Sequence, residues 1–323
     1  MPIHRTGSGR RDRARALVAA LALGLAVGTP SAAGAVTAAG TGAGAGAGAQ
    51  APICASESHP EAAERLDKRI LRETDGREGR IAVGVSAHDG GLTCGLDPDA
   101  EFDAASVGKV VVLGALLRTA MDEKRELTSE EERLATDMIT VSDNDAAGEL
   151  YDRLGSERVQ DFLDLAGMDD TKPHPENYVG LMKITAGDQL TLLGLLRTDN
   201  DVLGADERSY ARGLMGDVVE KQRWGVPAGA PGGAEVYLKN GWLPHKDAGT
   251  WRVNSVGGFL GTPAGDYDVV VLTDDSPGME YGVETIESVA AGVHSALTGG
   301  QGRARARSSR TGPPLPSDGS GRS

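Results

Sequence analysis

The alternation of apolar and polar residues along the chain predicts two sheet-forming parts separated by a block of helices. Residues 81–86 and 92–96 are short apolar runs joined by an Asp-Gly-Gly turn, which is typical of a β-hairpin. Residues 105–120 are apolar almost throughout, which predicts a helix buried on all sides. Apolar residues at helical spacing, with capping residues, predict further helices over residues 61–74, 129–140, 145–154, 156–167, 181–196, 206–219 and 282–297.

The pattern changes to strands after the Gly- and Pro-rich residues 227–233. Residues 235–242, 251–260 and 267–273 read as three strands joined by short loops, which predicts an antiparallel meander. The earlier hairpin completes a sheet of about five strands, whose two faces are covered by helices. We therefore predict an α/β fold with a five-stranded, mainly antiparallel sheet flanked by helices, plus an all-helical subdomain over about residues 110–225.

The first 35 residues have the pattern of a secretory signal peptide. Five arginines lie within residues 5–15, before an apolar run over residues 16–28. Ala-Gly-Ala at residues 33–35 offers a cleavage site. The apolar run is too short for a transmembrane helix, which needs about 20 residues. We predict a secreted or cell-wall associated protein with no membrane attachment after cleavage. The choice between the general secretory and twin-arginine routes stays open.

The rest of the chain divides into three parts. Residues 36–53 are rich in Gly and Ala and predict a flexible linker, residues 54–299 one domain, and residues 300–323, rich in Gly, Ser, Pro and Arg, a disordered tail. The exported part contains two cysteines, Cys54 and Cys94. An even pair in an oxidising compartment indicates a disulfide. A lipid anchor on Cys54 is disfavoured because Ala-Pro-Ile before it is not a lipobox.

Charge and histidine spacing exclude two classes of function. The formal net charge is −14, which argues against a nucleic-acid partner. The histidines are scattered without the spacing of metal ligands, so we expect neither a metal nor a cofactor. We expect a monomer that acts on a small molecule.

Ser106 and Lys109 lie three residues apart at the start of the buried helix. Residues at this spacing project from the same face of a helix, so the lysine amine can reach the serine hydroxyl. A serine needs a neighbouring base to act as a nucleophile, and burial disfavours the charged form of a lysine. The alternative is that Ser106 caps the helix and Lys109 extends to solvent.

Two further motifs follow at other points of the chain. Ser142-Asp143-Asn144 stands between two predicted helices, and Lys239-Asn240-Gly241-Trp242 lies on the first late strand. Each has a structural alternative: the first motif contains only residues that cap helices well, and the second is compatible with an edge strand carrying a solvated lysine.

With these three motifs in this order, the chain resembles the penicillin-recognising active-site serine enzymes, specifically the class A β-lactamase-like group, over roughly residues 60–298. The resemblance implies an exported serine hydrolase that opens β-lactam amides through an acyl-enzyme. Two alternatives stay open. One is a D,D-peptidase or esterase that acts on cell-wall peptides or esters with the same residues. The other is a module that binds cell-wall fragments or antibiotics without turnover.

The resemblance also implies roles for the motif residues. Ser106 would be acylated, Lys109 would take or relay its proton, and Ser142 would pass that proton to the leaving nitrogen. Asn144 would bind a substrate amide and hold Lys109, and Lys239 would supply positive potential for a substrate carboxylate.

The strand motif supplies the other predicted substrate contacts. The backbone N–H groups of Ser106 and Trp242 would form the oxyanion hole. Gly241, which precedes Trp242 in the strand motif, is also a predicted substrate-binding residue. Asn240 replaces the usual hydroxyl residue of the family, so an amide would contact the substrate carboxylate there. This departure puts affinity for penicillin-like substrates in question.

The chain also departs from the family in the loop that serves deacylation. Class A β-lactamases have a Glu-x-x-Leu-Asn string whose glutamate activates the deacylating water, and this chain has no such string. Between residues 167 and 185 the only glutamate is Glu176. It either stands in as the base or is an exposed turn residue. Without a base in reach of the acyl group, the acyl-enzyme would persist.

Overall fold

The structure is a computed structural model that describes residues 51–299. The predicted signal peptide (1–35), most of the predicted linker (36–53) and the predicted tail (300–323) lie outside the described residues. Over the range that is described, none of the helices has the length and apolar character needed to span a membrane.

Residues 51–299 form eight β-strands and seven α-helices, with short 3₁₀ turns between some of them. The strands are β1 (Cys54–Ala55), β2 (Arg80–Ala87), β3 (Leu92–Leu96), β4 (Phe102–Asp103), β5 (Lys183–Ile184), β6 (Glu235–Pro244), β7 (Trp251–Leu260) and β8 (Tyr267–Ser276). The helices are α1 (Pro60–Thr74), α2 (Gly108–Asp122), α3 (Ser129–Thr140), α4 (Asn144–Ala166), α5 (Ala186–Arg197), α6 (Ala205–Gly216) and α7 (Met279–Leu297).

The main sheet is antiparallel and has the strand order β1-β3-β2-β8-β7-β6, so β6 lies at an edge. The predicted α/β fold is confirmed, with six strands in the sheet where five were predicted. The additional strand is β1, whose two residues are too few to show a period in the sequence. Another two-stranded ribbon, β4 with β5, lies outside the main sheet, and it joins the residues before Ser106 to a later loop.

The sheet separates two apolar cores, as alternate strand positions require. On β2, Val83 and Val85 pack with α1 and α7, whereas Ala82 packs with the block of helices α2 to α6. On α1, Leu66 and Ile70 are fully buried under α7, and each contributes about 1.5–3 kcal/mol by leaving water. The fold therefore has three layers: helices α1 and α7, the main sheet, and the block of helices α2 to α6.

Most of the helical block follows the sequence prediction. Nearly all residues of α2 are buried, as its continuous apolarity predicts. Thr128 caps α3 in a capping box: its hydroxyl accepts from the N–H of Glu131, and the Glu131 carboxylate accepts from the N–H of Thr128. The two helices predicted over residues 145–154 and 156–167 form one run, α4, interrupted at Gly155 by a φ of 75°.

The predicted start of α5 was wrong. The sequence predicted a helix over residues 181–196, but α5 begins at Ala186, after its cap Thr185. The residues before it form the 3₁₀ turn Val179–Leu181 and strand β5. The apolar residue Leu181 continues the helical period, although its backbone belongs to the loop, so the period alone placed the boundary too early.

The predicted disulfide between Cys54 and Cys94 is confirmed. The two cysteines are register partners on β1 and β3, so the bond fastens the short edge strand to the sheet. The bond closes a loop of 40 residues that contains α1.

Buried His294 predicts a loss of stability in acid. Its Nε2 lies 2.8 Å from the carbonyl oxygen of Val226, and its Nδ1 lies 2.8 Å from the hydroxyl of Tyr267. Burial lowers the pKa of His294 to about 4, although the bond to Val226 acts in the opposite direction. Between pH ~6.5 and pH ~4, His294 therefore stays mostly neutral in the folded chain but is protonated in the unfolded chain. The stability contributed by neutral His294 is full above that pH and falls by about 3 kcal/mol as the pH drops to 4.

Urea unfolding between pH 7 and pH 4 measures this contribution. In His294→Gln, whose amide does not titrate, we expect a shallower fall of the unfolding free energy than in the wild type. His174→Gln removes a histidine from a loop and serves as the matched control. Equal pH slopes in the wild type and His294→Gln would contradict the assignment.

Candidate active site

Ser106 lies in a short 3₁₀ turn, Ala105–Val107, that leads from β4 into α2. Ala105 has a φ of 47°, a left-handed conformation that costs an L-residue about 1–2 kcal/mol. Such strain persists where the surroundings hold it, which is common at functional sites. The turn fixes the serine at the N-terminal end of the buried helix.

Lys109 reaches the serine as its spacing predicts. Its Nζ lies 2.9 Å from Oγ of Ser106, and both residues are 0% exposed. This burial excludes the alternative in which Lys109 extends to solvent. Ser106 does not take the alternative role of a helix cap either, because the residues at the cap positions of the turn and of α2 are Ala104 and Val107.

The Ser-Asp-Asn motif brings two more residues to Lys109. The ammonium of Lys109 donates to the carbonyl oxygen of Ser142 (2.7 Å), to its hydroxyl (3.1 Å) and to Oδ1 of Asn144 (2.7 Å). Ser142 has a left-handed φ of 62°, which turns the chain between α3 and α4. The capping alternative holds for Asp143 alone, whose carboxylate accepts from the N–H of Ala146 and begins α4.

Lys239 on β6 approaches the same hydroxyl from the sheet. Its Nζ lies 2.9 Å from Oγ of Ser142 and 3.0 Å from the carbonyl oxygen of Asn240, and the residue is 0% exposed. The alternative of a solvated edge lysine is therefore wrong. Burial lowers the pKa of Lys239 well below its usual value, and the nearby charge of Lys109 lowers it further. Ser142 thus lies between two amines, in a position to relay a proton.

Gly241 allows β6 to approach the serine turn. A Cβ at this position would lie 2.6 Å from the backbone nitrogen of Ser106 and 2.9 Å from Cβ of Ala105. No side chain fits in this space, which explains a glycine at this point of the strand.

On the roles that the family resemblance implies, we expect Gly241→Ala to slow acylation of Ser106 by about 10²-fold. The methyl group must displace the serine turn, and loss of one oxyanion donor costs about 10²–10³ in rate. Gly148→Ala on α4 is the matched control, because a Cβ there meets nothing within 4 Å. The second-order rate of acylation by a penicillin measures both variants. A rate for Gly241→Ala equal to that of Gly148→Ala would exclude the close approach.

Asn240 and Trp242 direct their side chains to the other side of β6. The Asn240 amide donates to the carbonyl oxygens of Gln222 (2.6 Å) and Trp224 (2.8 Å) and is fully buried. The Trp242 ring is buried beside that of Trp224, with 5.9 Å between their centroids. The Asn240 amide N–H groups therefore have backbone partners, whereas the sequence predicted that they would contact a substrate carboxylate.

Two supporting residues were not predicted from the sequence. Asn254 on β7 is fully buried and donates to the carbonyl oxygens of Asp103 and Ala104, just before the serine turn. Gln222 donates to the carbonyl oxygen of Val141, next to Ser142, at 3.0 Å. An asparagine at an apolar strand position was a visible signal for the first, whereas nothing in the local sequence marks Gln222.

Glu176 lies in a turn and is exposed. Its backbone N–H donates to Nδ1 of His174, and its carboxylate forms no hydrogen bond or ion pair with residues 51–299. The segment nevertheless packs on the start of α2, next to the serine turn, since a Cβ at Gly108 would lie 2.8 Å from the carbonyl oxygen of Val179. The loop therefore lies beside the turn without a hydrogen bond from its glutamate to Lys109 or Ser106.

One group of possible metal ligands occurs within residues 51–299. Ligand atoms of His245, Asp274 and Asp275 lie within 4.8 Å of one another. Arg80 and Arg252 lie 3.5 and 3.9 Å from the Asp274 carboxylate, and their positive charges oppose a cation there.

Comparisons with known proteins agree with this geometry. The sequence profile of a family described as "Beta-lactamase enzyme family" matches residues 130–297, more than half of the chain. The match includes the Ser-Asp-Asn motif and β6 and begins after Ser106 and Lys109. No curated protein sequence matches the chain.

Solved structures show the same fold at low sequence identity. A β-lactamase from Sphaerobacter thermophilus DSM 20745 has a TM-score of 0.60 and 21% identity, covering 72% of this chain and 97% of that one. A class A β-lactamase from Bacteroides cellulosilyticus DSM 14838 has a TM-score of 0.65 and 16% identity, covering 74% and 99%.

The protein PBP-A has a TM-score of 0.60 and 20% identity, covering 72% of this chain and 96% of its own. These similarities show the fold, and the profile match shows the family. The chain belongs to the β-lactamase enzyme family of serine hydrolases, with the fold shared by class A β-lactamases and PBP-A.

Proposed function

We propose that the protein is an exported serine hydrolase that opens β-lactam amides through an acyl-enzyme on Ser106. The observation that carries the proposal is the distance of 2.9 Å between Nζ of Lys109 and Oγ of Ser106, with both groups buried. Export rests on the signal-peptide pattern of the sequence.

The chemistry begins with the proton of Ser106. An unprotonated Lys109 accepts it while Oγ attacks the carbonyl carbon of the β-lactam, and a tetrahedral oxyanion forms. The backbone N–H groups of Ser106 and Trp242 bind that oxyanion. The carbon–nitrogen bond of the ring then breaks, and the acyl group stays on Ser106 as an ester.

The leaving nitrogen receives a proton through Ser142. Its hydroxyl lies 3.1 Å from Nζ of Lys109 and 2.9 Å from Nζ of Lys239. Ser142 can therefore donate its own proton to the nitrogen and take one from Lys109. Asn144 supports this step by holding the Lys109 amine with its Oδ1.

Deacylation is the slow step in this proposal. Water must attack the ester with the help of a base within hydrogen-bond reach, and the exposed carboxylate of Glu176 has no contact with Lys109. This observation also favours a second candidate function, a D,D-peptidase or esterase on cell-wall peptides or esters. A single-residue mutant of the structurally similar PBP-A is described as an acyl-enzyme complex with penicillin G.

Hydrolysis of a chromogenic cephalosporin tests the proposal. We expect a burst of about one product molecule per protein, then a much slower phase, and neither phase in Ser106→Ala. Fast linear hydrolysis would contradict slow deacylation. The absence of a burst in folded wild-type protein would contradict acylation and leave a binding module.

A further inference from the structure

Asp103, three residues before Ser106, carries a buried carboxylate between two cations from different strands. Its side chain is 8% exposed. Its Oδ1 accepts from the ammonium of Lys183 on β5, and its Oδ2 lies 2.6 Å from Nε of Arg252 on β7. Asp103 and Lys183 are also register partners in the ribbon of β4 and β5. The carboxylate therefore joins three strands next to the serine turn, and its two cations offset the cost of burying its charge.

The backbone that follows Asp103 is fixed by hydrogen bonds to the same strands. The Asn254 amide on β7 donates to the carbonyl oxygens of Asp103 (2.9 Å) and Ala104 (3.2 Å). The N–H of Ala104 donates to the carbonyl oxygen of Met182, just before β5, at 2.8 Å. These bonds hold the chain immediately before Ala105, the residue of the serine turn with a left-handed φ. A strained conformation of this kind persists only where its surroundings hold it.

The partner of Asp103 on β5 closes the loop that lies beside the serine turn. Lys172 and Lys183 exchange two backbone hydrogen bonds, at 2.8 and 2.9 Å, so residues 172–183 form a closed loop. The loop is joined to the chain before the serine turn by two ion pairs, Lys172 with Glu101 and Lys183 with Asp103. In the first pair the lysine is 61% and the glutamate 46% exposed, whereas the carboxylate of the second pair is buried. Because exposed ion pairs contribute little, Asp103 makes the stronger connection.

We propose that Asp103 is a positioning residue for the serine, because its carboxylate fastens the start of the serine turn to β5 and β7. The inference rests on the proposed function, since it concerns acylation of the same serine. Without the charge of Asp103, the turn loses its ion pairs with Lys183 and Arg252, and its strained backbone can relax away from the geometry that attack requires. A displacement of about 1 Å at a reacting group can cost about 10²-fold in rate.

Asp103→Asn removes this charge and keeps the shape of the side chain. In stopped-flow measurements with a chromogenic cephalosporin, we expect the limiting rate of acylation at saturating substrate to fall about tenfold to a hundredfold. The half-saturating concentration should change by less than about threefold, because the residue acts on the turn and not on the bound β-lactam. The burst should stay at about one product molecule per protein, since every folded molecule still reacts. A limiting rate within about threefold of the wild type, with either a full or a reduced burst, would overturn the inference.

Lysine variants of the same loop supply the control and a second test. Lys172→Met is the matched control, because it breaks the exposed pair with Glu101, and its limiting rate should equal that of the wild type. If urea unfolding shows that Asp103→Asn is not folded, Lys183→Met and Lys183→Arg carry the test. We expect the methionine variant to acylate about threefold to tenfold more slowly, and the arginine variant, which keeps the charge, to recover most of the rate. Equal rates in these two variants would overturn the role of the ion pair.

The same measurements separate this inference from the proposed function. A burst in the wild type, with an equal limiting rate in folded Asp103→Asn, overturns the inference and leaves acylation of the serine intact. No burst in folded wild-type protein overturns the proposed function and this inference with it. Ser106→Ala must give no burst under any of these conditions.

Discussion

The Ser106→Ala variant is expected to lose all labelling by a fluorescent penicillin that labels the wild type. The hydroxyl of Ser106 is the group that forms the ester, and Lys109, Ser142 and Asn144 are arranged around it. Removal of the nucleophile from a catalytic group of this kind lowers the rate by about 10⁴-fold or more. Fluorescence of the protein band after denaturing electrophoresis measures the loss.

Ser209→Ala is the matched control for this variant. Ser209 is exposed on α6, a different helix from the one that follows the serine turn. Labelling of Ser209→Ala should therefore equal that of the wild type. Labelling that survives in Ser106→Ala would place the reactive group elsewhere.

The Lys109→Met variant is expected to acylate about 10³-fold more slowly than the wild type while keeping its fold. General-base catalysis contributes about 10²–10⁴ in rate, and Lys109 is the base in contact with Ser106 Oγ. Methionine keeps the length and apolar stem of the buried side chain. It leaves the Ser142 carbonyl and Asn144 Oδ1 without this donor, which costs about 1–3 kcal/mol of stability for each.

Intact mass at timed intervals after penicillin addition gives the rate, and urea unfolding gives the stability. Lys68→Met, at an exposed position on α1, is the control for loss of a lysine. A rate within tenfold of the wild type would show that Lys109 is not the base.

The short-range parts of the site were predictable from the sequence because each motif fixes its own geometry. The spacing of Ser106 and Lys109 on a buried helix brings them together without any information from the rest of the fold. The capping box of α3 and the change to strands after residue 233 then indicate that Ser142 follows a helix and that Lys239 lies on a strand. The family resemblance supplied the remaining step, that these three elements meet.

The side chain of Asn240 shows where this reasoning ends. Its orientation depends on two carbonyl groups of residues 222–224, whose loop conformation no local pattern encodes. The strands β1 and β5 are missed for a related reason, since two residues cannot show a period of two. Long-range backbone contacts of this kind require the fold itself.

Timed intact-mass measurement of the wild type with benzylpenicillin, followed by peptide mapping, tests the central claim most directly. We predict that the protein gains the full mass of one penicillin, that the added mass maps to the peptide containing Ser106, and that it decays slowly. No mass gain in folded protein, or a mass gain that maps to another peptide, would contradict the account.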